Sequence, residues 1–271
     1  GRGRTVSIPD FTARRDEIGG LSRALRGMTQ ALWVRMDAIE VFVADVAHEI
    51  KNPLSSVRNA VETARRVRDP EQRDKLLDIV GHDVTRLDRL LSEIADASRI
   101  DTEMSRAEVR AVDIGAVMMT LVEMHRPTFE AEGLHLSLHA DDKESFMVYA
   151  VEDRLVQVFQ NLLSNARSFS PTGGEIEIHL ARANAEICID IEDQGPGVAE
   201  NLREAIFERF YTLRTEAEPF GAHSGLGLSI SRQITEAHGG TITCTDRRAE
   251  DIAVKGARFT LRLPVAENGG R

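Results

Sequence analysis

In the stretch DVAHEIKNPL, residues 45–54, a histidine, a glutamate and an asparagine fall within about one turn of helix, and a proline follows. His48 stands two residues from both Val46 and Ile50, about 200° around a helix from each. It therefore faces away from the apolar seam to which those residues belong. An isolated histidine there is an ordinary solvated side chain, but this one has chemically useful neighbours. Glu49 can hold the ring in the tautomer that leaves one nitrogen free, or take its proton during an attack. Asn52, one turn on, can orient a water or a phosphoryl oxygen. Pro53 has no N–H for the carbonyl of Glu49, which permits a bend just beyond the histidine.

Three further constellations lie in the second half of the chain. QNLLSNARSFS places Asn161 and Asn165 one helical turn apart, with Phe159, Leu162 and Leu163 on the other side. Stacked amides of this kind suit a hydrated Mg²⁺ and its phosphates, although surface asparagines are commonplace. DQGPGV follows an alternating strand. There Asp193 can accept a hydrogen bond from an exocyclic amine, while Gly195 and Gly197 let backbone approach a planar base. HSGLGLSI opens an amphipathic helix, so Gly225, Leu226 and Gly227 present backbone amides at a helix N-terminus, a favourable phosphate site. Between these two stretches runs a long segment punctuated by glycine and proline that contains FERFY, residues 207–211, and suits a mobile lid.

The elements that must position these groups are legible as periodicities. Ile18, Leu21, Leu25, Met28 and Leu32 form one seam at coiled-coil spacing, and Met36, Ile39, Val43, Val46 and Ile50 continue it after an extra four-residue step. Such a stutter locally unwinds a supercoil. The seam resumes through Leu54, Val57, Val61 and Ala64. Asp69 as N-cap and Pro70 at the first helical position then open a second helix carrying Leu76, Val80, Val84, Leu87, Leu91 and Ile94. A lone hairpin of two amphipathic helices leaves its seam wet. A second copy would bury it in a four-helix bundle; the alternative is a long helix docked on its own domain.

After about Arg106 the grammar changes. Helical patterns at 114–130 and 152–168 alternate with period-two stretches. EIEIHL and EICIDIED read as a hairpin around ARANA, and TITCT and ARFTLRL as two further strands. The expected fold class is multidomain: an all-α hairpin forming a dimeric four-helix bundle, then an α+β sandwich with a mostly antiparallel sheet.

Composition narrows the possibilities. A net charge of -10 argues against non-specific nucleic-acid binding. Two cysteines, both in strand-like stretches, do not make a disulfide framework. No apolar run approaches the ~20 residues of a membrane-spanning helix, so direct membrane insertion by this stretch is not expected. The chain opens Gly-Arg-Gly-Arg, which suggests a piece of something longer.

In order, these segments resemble the motifs of bacterial sensor histidine kinases of two-component signalling. FVADVAHEIKNPLSSV resembles their phosphoacceptor box, NLLSNA the N box, DQGPGV the first glycine box, FERFY the F box and SGLGLSI the second glycine box, over about Ala38 to Pro264. Asp16, Glu17, Ile18 and Gly19 resemble the DExG of a HAMP relay module. The lid wording is similar to that of the ChvG/ExoS acid- and envelope-sensing kinases of alphaproteobacteria.

The resemblance implies a division into 1–36 (part of HAMP), 37–105 (dimerisation and histidine phosphotransfer), 106–266 (a catalytic ATP-binding domain of the GHKL type) and 267–271 (tail). It implies His48 as nucleophile, with Glu49 and Asn52 catalytic beside it. It implies Asp193 as the adenine contact, with Gly195, Gly197, Gly225, Leu226 and Gly227 around ATP, and Asn165 assisted by Asn161 on Mg²⁺. It also implies a homodimer, a response-regulator partner read at Ser56, Asn59 and Ala60, regulator dephosphorylation, and a place as the cytoplasmic portion of a bacterial inner-membrane protein. Two positions depart from the pattern. Ser168 stands where many relatives have Lys, with Arg167 beside it, and Thr212 where many have Arg. A phosphate clamp then falls to Arg209 or Arg214, with Arg214 favoured over Arg167.

Two other readings compete. Gyrase-, chaperone- and mismatch-repair-like ATPases resemble this N box but carry a water-activating Glu where Asn161 stands, and an amide cannot act as that base. A non-enzymatic coiled-coil scaffold would not need Asp193, Asn165 and both glycine boxes.

Overall fold

The computed structural model describes residues 11, 14, 16–104, 107–141, 144–211, 225–247 and 255–266. The chain divides into two compact units, residues 1–55 and 56–271. Helix α1, Glu17–Ala64, runs without interruption through the stutter at Leu32–Met36 and through Pro53. It starts where Asp16 caps it: Oδ1 accepts from the Gly19 N–H at 3.1 Å, and the carboxylate pairs with Arg14 at 2.6 Å. The Arg14 hydrogen bond, then the Gly19 amide, hold the Asp16 carboxyl below the usual carboxylate value. The DExG wording is thus, locally, a helix start.

Helix α2, Pro70–Met104, begins as the sequence indicates, with Asp69 Oδ1 accepting from the Glu71 N–H at 3.1 Å. Most seam residues of α1 are exposed in the single chain, among them Leu21 at 69% and Met28 at 71%. Toward its end α2 changes role. Ala97 and Ile100 are buried in the core of the following domain, and Gln157 Nε2 reaches Asp96 Oδ2 at 3.4 Å.

That domain is a sandwich. Its elements are β1 (Arg110–Asp113), α3 (Ile114–Ala131), β2 (His135–His139), β3 (Met147–Ala150), α4 (Glu152–Phe169), β4 (Glu175–Ala183), β5 (Glu186–Glu192), α5 (Gly227–Ala237), β6 (Thr241–Asp246) and β7 (Ala257–Pro264). Five strands form one sheet in the order β2-β4-β5-β7-β6. β2 runs parallel to β4 and every other neighbour is antiparallel, so the sheet is mixed. Strands β1 and β3 pair separately.

Alternation decides which face is inside. Ile176, Ile178, Ile187, Ile189, Ile191 and Leu261 are buried with Leu155, Phe159 and Leu162 of α4 and Ile230 and Ile234 of α5. The opposite face carries Glu177, His179, Asp190, Glu192, Arg258 and Thr260. Helix α3 is capped by Asp113, whose side chain accepts from the Gly115 and Ala116 amides.

The hairpin expected around ARANA turns later than that reading, because β4 continues to Ala183. The reversal is made by Asn184 and Ala185, and Asn184 takes the left-handed φ of 57° that asparagine tolerates. Strands β1, β2 and β3 are not among those expected from the periodicities. β1 and β3 are only four residues long, whereas β2 alternates Leu136 and Leu138 with His135, Ser137 and His139 and does carry the signal.

Candidate functional site

The α1 stripe comes first. His48 and Asn52 are exposed, Glu49 and Asp45 are half-buried, and Pro53 is buried within an unbroken helix. Of the positions implied for a regulator, Asn59 is exposed and Ser56 half-buried. Ala60 is buried at 6%, which removes its side chain from the accessible surface.

The second constellation assembles at one end of the sandwich. Strand β5 delivers Asp193 directly after Glu192. Asp193 Oδ1 accepts from the Gly195 N–H at 2.8 Å and the Ala257 N–H at 3.2 Å, while its own N–H donates to Ala257 O at 3.0 Å. The side chain is buried. That burial pushes its pKa up from 3.8, partly countered by the two amides and by Arg247. The carboxyl group is thus held where solvation is poor, with one oxygen already committed to backbone amides.

Glycine is obligatory here for reasons of space. A Cβ on Gly195 would lie 2.8 Å from Phe169 O, and one on Gly256 would collide with Asp193 O. Gly197 has φ +75°. Gly256, which no motif reading singled out, stands before β7 and permits its backbone to close on Asp193.

Helix α4 carries both asparagines, each half-buried. Asn161 Nδ2 donates to Gly227 O at 3.1 Å and lies 3.4 Å from Ser231 Oγ, joining the N box to the first turn of α5. Leu226 is buried and Gly227 opens α5. Ser231, fully buried, was also missed by sequence reasoning, since a serine on an amphipathic helix carries no signal by itself.

Arg167 lies 3.6 Å from Glu132 Oε2, engaged at the end of α3. Arg209 is exposed, and Arg214 and Thr212 fall outside the described residues. The F box is anchored by Ile206 and Phe207, both buried, with the Arg232 guanidinium 4.1 Å from the Phe207 ring centre and Arg232 paired to Glu204 at 3.0 Å.

A buried carboxylate beside glycine-only backbone, paired amides on a helix, and a helix N-terminus opened by glycines are the kinds of group that suit a purine nucleotide and its phosphates. Comparison with known families agrees. A His Kinase A (phospho-acceptor) domain model matches residues 38–103, and a histidine kinase-, DNA gyrase B- and HSP90-like ATPase model matches residues 150–267. A phosphoacceptor region followed by this ATPase fold defines the sensor histidine kinases, and the chain belongs to that family.

Within the family it is similar to ChvG sensor proteins. It is 49% identical over 264 residues to that of Rhizobium meliloti, covering 95% of this chain and 46% of the relative. It is 48% identical over 275 residues to that of Agrobacterium fabrum, covering 97% and 45%. The chain thus spans about half the length of these relatives. In fold it matches the crystal structure of the histidine kinase ThkA in complex with the response regulator TrrA, with TM-score 0.67 and 24% identity, covering 85% of this chain and 63% of that one. Among the described residues, no helix is long and apolar enough to cross a membrane.

Proposed function

We propose that the chain autophosphorylates His48 from ATP and passes the phosphoryl group to an aspartate of a response regulator. The observation that carries this reading is that one chain holds an exposed histidine on α1 and an ATPase-type domain whose position 161 is an amide. A carboxylate at 161 would direct water at ATP; Asn161 leaves the γ-phosphoryl for another nucleophile. His48 attacks that group in line, the N–P bond forms as the bond to the ADP oxygen breaks, and Glu49 takes the imidazole proton.

Asp193 accepts from the adenine amine, and the α5 N-terminus at Gly225, Leu226 and Gly227 holds phosphate oxygens. Amide oxygens are hard ligands, so Asn165 and Asn161 fit Mg²⁺, which when bound neutralises phosphate charge. With Arg167 engaged by Glu132, Arg214 or Arg209 is the better candidate for clamping the phosphates.

The exposed apolar seam of α1 supports a homodimer joined through α1 and α2. Regulator contact would fall on Ser56 and Asn59, and Asn52 would serve a phosphatase reaction on the same regulator. The domain divisions at residues 36 and 105, a HAMP connection upstream, and a position as the cytoplasmic portion of an inner-membrane protein belong to the same proposal.

The test is incubation with γ-labelled ATP. Label should appear on the protein, survive alkali and be lost in acid, as a phosphoramidate is. His48→Gln should abolish it while nucleotide binding persists. Label retained in that variant refutes the assignment.

A further inference from the structure

We infer that Ser231 is a positioning residue that fixes which way the Asn161 amide faces. The argument is one of donors and acceptors. Gly227 O can only accept, so the Asn161 group 3.1 Å away must be the NH₂. Ser231 Oγ donates its single hydrogen to the same Gly227 carbonyl, at 2.8 Å. Toward Asn161, 3.4 Å away, that hydroxyl can therefore only accept. Both neighbours demand the NH₂ on the α5 side, and Asn161 Oδ1 is turned away from α5.

The arrangement is enclosed. Ser231 and Thr235 are both fully buried, and Thr235 Oγ1 donates to Ser231 O at 2.7 Å, holding that turn of α5. No water can replace the hydroxyl at no cost, since a buried polar group without its partner is penalised. The sequence spans 70 residues between Asn161 and Ser231, so this chain of contacts exists only in the fold.

The inference deepens the proposed function, because it rests on Asn161 Oδ1 serving the metal and phosphates. A freely rotating amide would present its NH₂ to a cation half the time. Ser231, acting with the Gly227 carbonyl, removes that alternative and keeps the oxygen available. It also ties the N box to the glycine turn of α5, so the two phosphate-facing elements keep one spacing.

The experiment compares wild type with Ser231→Ala and Ser231→Cys, in two measurements. The first is NMR of the Asn161 side-chain amide in nucleotide-free protein. In Ser231→Ala its proton signals should shift and broaden while the backbone spectrum stays folded, with Ser231→Cys intermediate. Unmoved signals overturn the inference, whatever the nucleotide data show.

The second is affinity for a fluorescent ATP analogue in saturating Mg²⁺ and in EDTA. Ser231→Ala should lose about three- to tenfold in Mg²⁺ and retain its affinity in EDTA. Equal losses in both buffers would reduce Ser231 to a packing residue and overturn the inference. If wild type gains no affinity from Mg²⁺, the metal reading of Asn161 fails, and the NMR result still decides whether Ser231 sets the amide.

Discussion

The backbone N–H of Phe210 donates to the carbonyl of Gly225 at 2.9 Å, and both residues adopt left-handed backbone, with φ of 61° and 74°. This contact joins the end of the F box to the start of the second glycine box, and so closes the base of the segment between them. A phenylalanine at positive φ is uncommon and is held only where surroundings over-determine it. A Cβ on Gly225 would lie 2.6 Å from the Phe210 carbonyl carbon. Gly225→Ala is therefore expected to open the neck. Strain of about 1–2 kcal/mol from φ alone, if carried wholly into binding, gives roughly five- to thirtyfold weaker ATP binding. Titration of the variant with a fluorescent ATP analogue checks this; wild-type affinity would show that the neck does not govern the site.

Asp193→Asn should separate stability from binding. Burial raises the folded-state pKa of Asp193, so ionising it costs the folded protein stability. The sign follows: stability falls as pH rises from the unfolded value of 3.8 through the folded one, and the cost remains at neutral pH. Asparagine can still accept from the Gly195 and Ala257 amides without that charge. The thermal midpoint at neutral pH should hold or rise. If Asp193 is the adenine contact proposed above, loss of one charge-assisted bond, about 1.5–3 kcal/mol, should weaken ATP affinity about ten- to a hundredfold by calorimetry.

Much of this could be read from the chain. Helices α1 to α5 and strands β4 to β7 were legible because each shows its period, from the 3-4 steps of the seam to the alternation in EIEIHL. Strands β1 and β3 were not. Asp193 and Gly195 announced themselves because their contact is local, two residues apart. Gly256 and Ser231 did not, because they gain meaning from partners 60 to 70 residues away: Ala257 N–H on Asp193, and Ser231 on Asn161. Sequence patterns report which face of an element is buried; they do not report which side chain an enclosed hydroxyl will meet.

His238 makes stability fall in mild acid. Its Nδ1 faces Ile234 O at 2.8 Å and its Nε2 accepts from the Val151 N–H at 3.0 Å, linking the end of α5 to the start of α4. Only the neutral ring with its proton on Nδ1 satisfies both. Burial holds its pKa below the ordinary 6.5. The unfolded chain then takes up a proton near that value before the folded protein does. The stabilising contribution is complete above about 6.5 and is lost as pH falls below it. Urea unfolding at pH 7.5 and 5.5 should show a larger loss for wild type than for His238→Gln, and equal losses would remove His238 as the cause.

Asn52 and His48 lie one turn apart on the same helix and are both exposed, yet their side chains suit different reactions. In the proposed reaction, autophosphorylation draws on the His48 ring, on Glu49 as proton acceptor and on a helix relieved of one hydrogen bond by Pro53. Regulator dephosphorylation needs a water held in line with an acyl phosphate, which an amide does by donating and accepting, and no ionisation of His48 is involved. Asn52→Ala should therefore lose phosphatase activity, by about tenfold or more if water positioning supplies a typical share of the rate, while keeping most of its autophosphorylation. The two rates are measured side by side, with purified phosphorylated regulator and ADP for the first and labelled ATP for the second. An equal fall in both would mean that Asn52 acts on the helix as a whole, since a side chain that only places water has no part in the attack by His48.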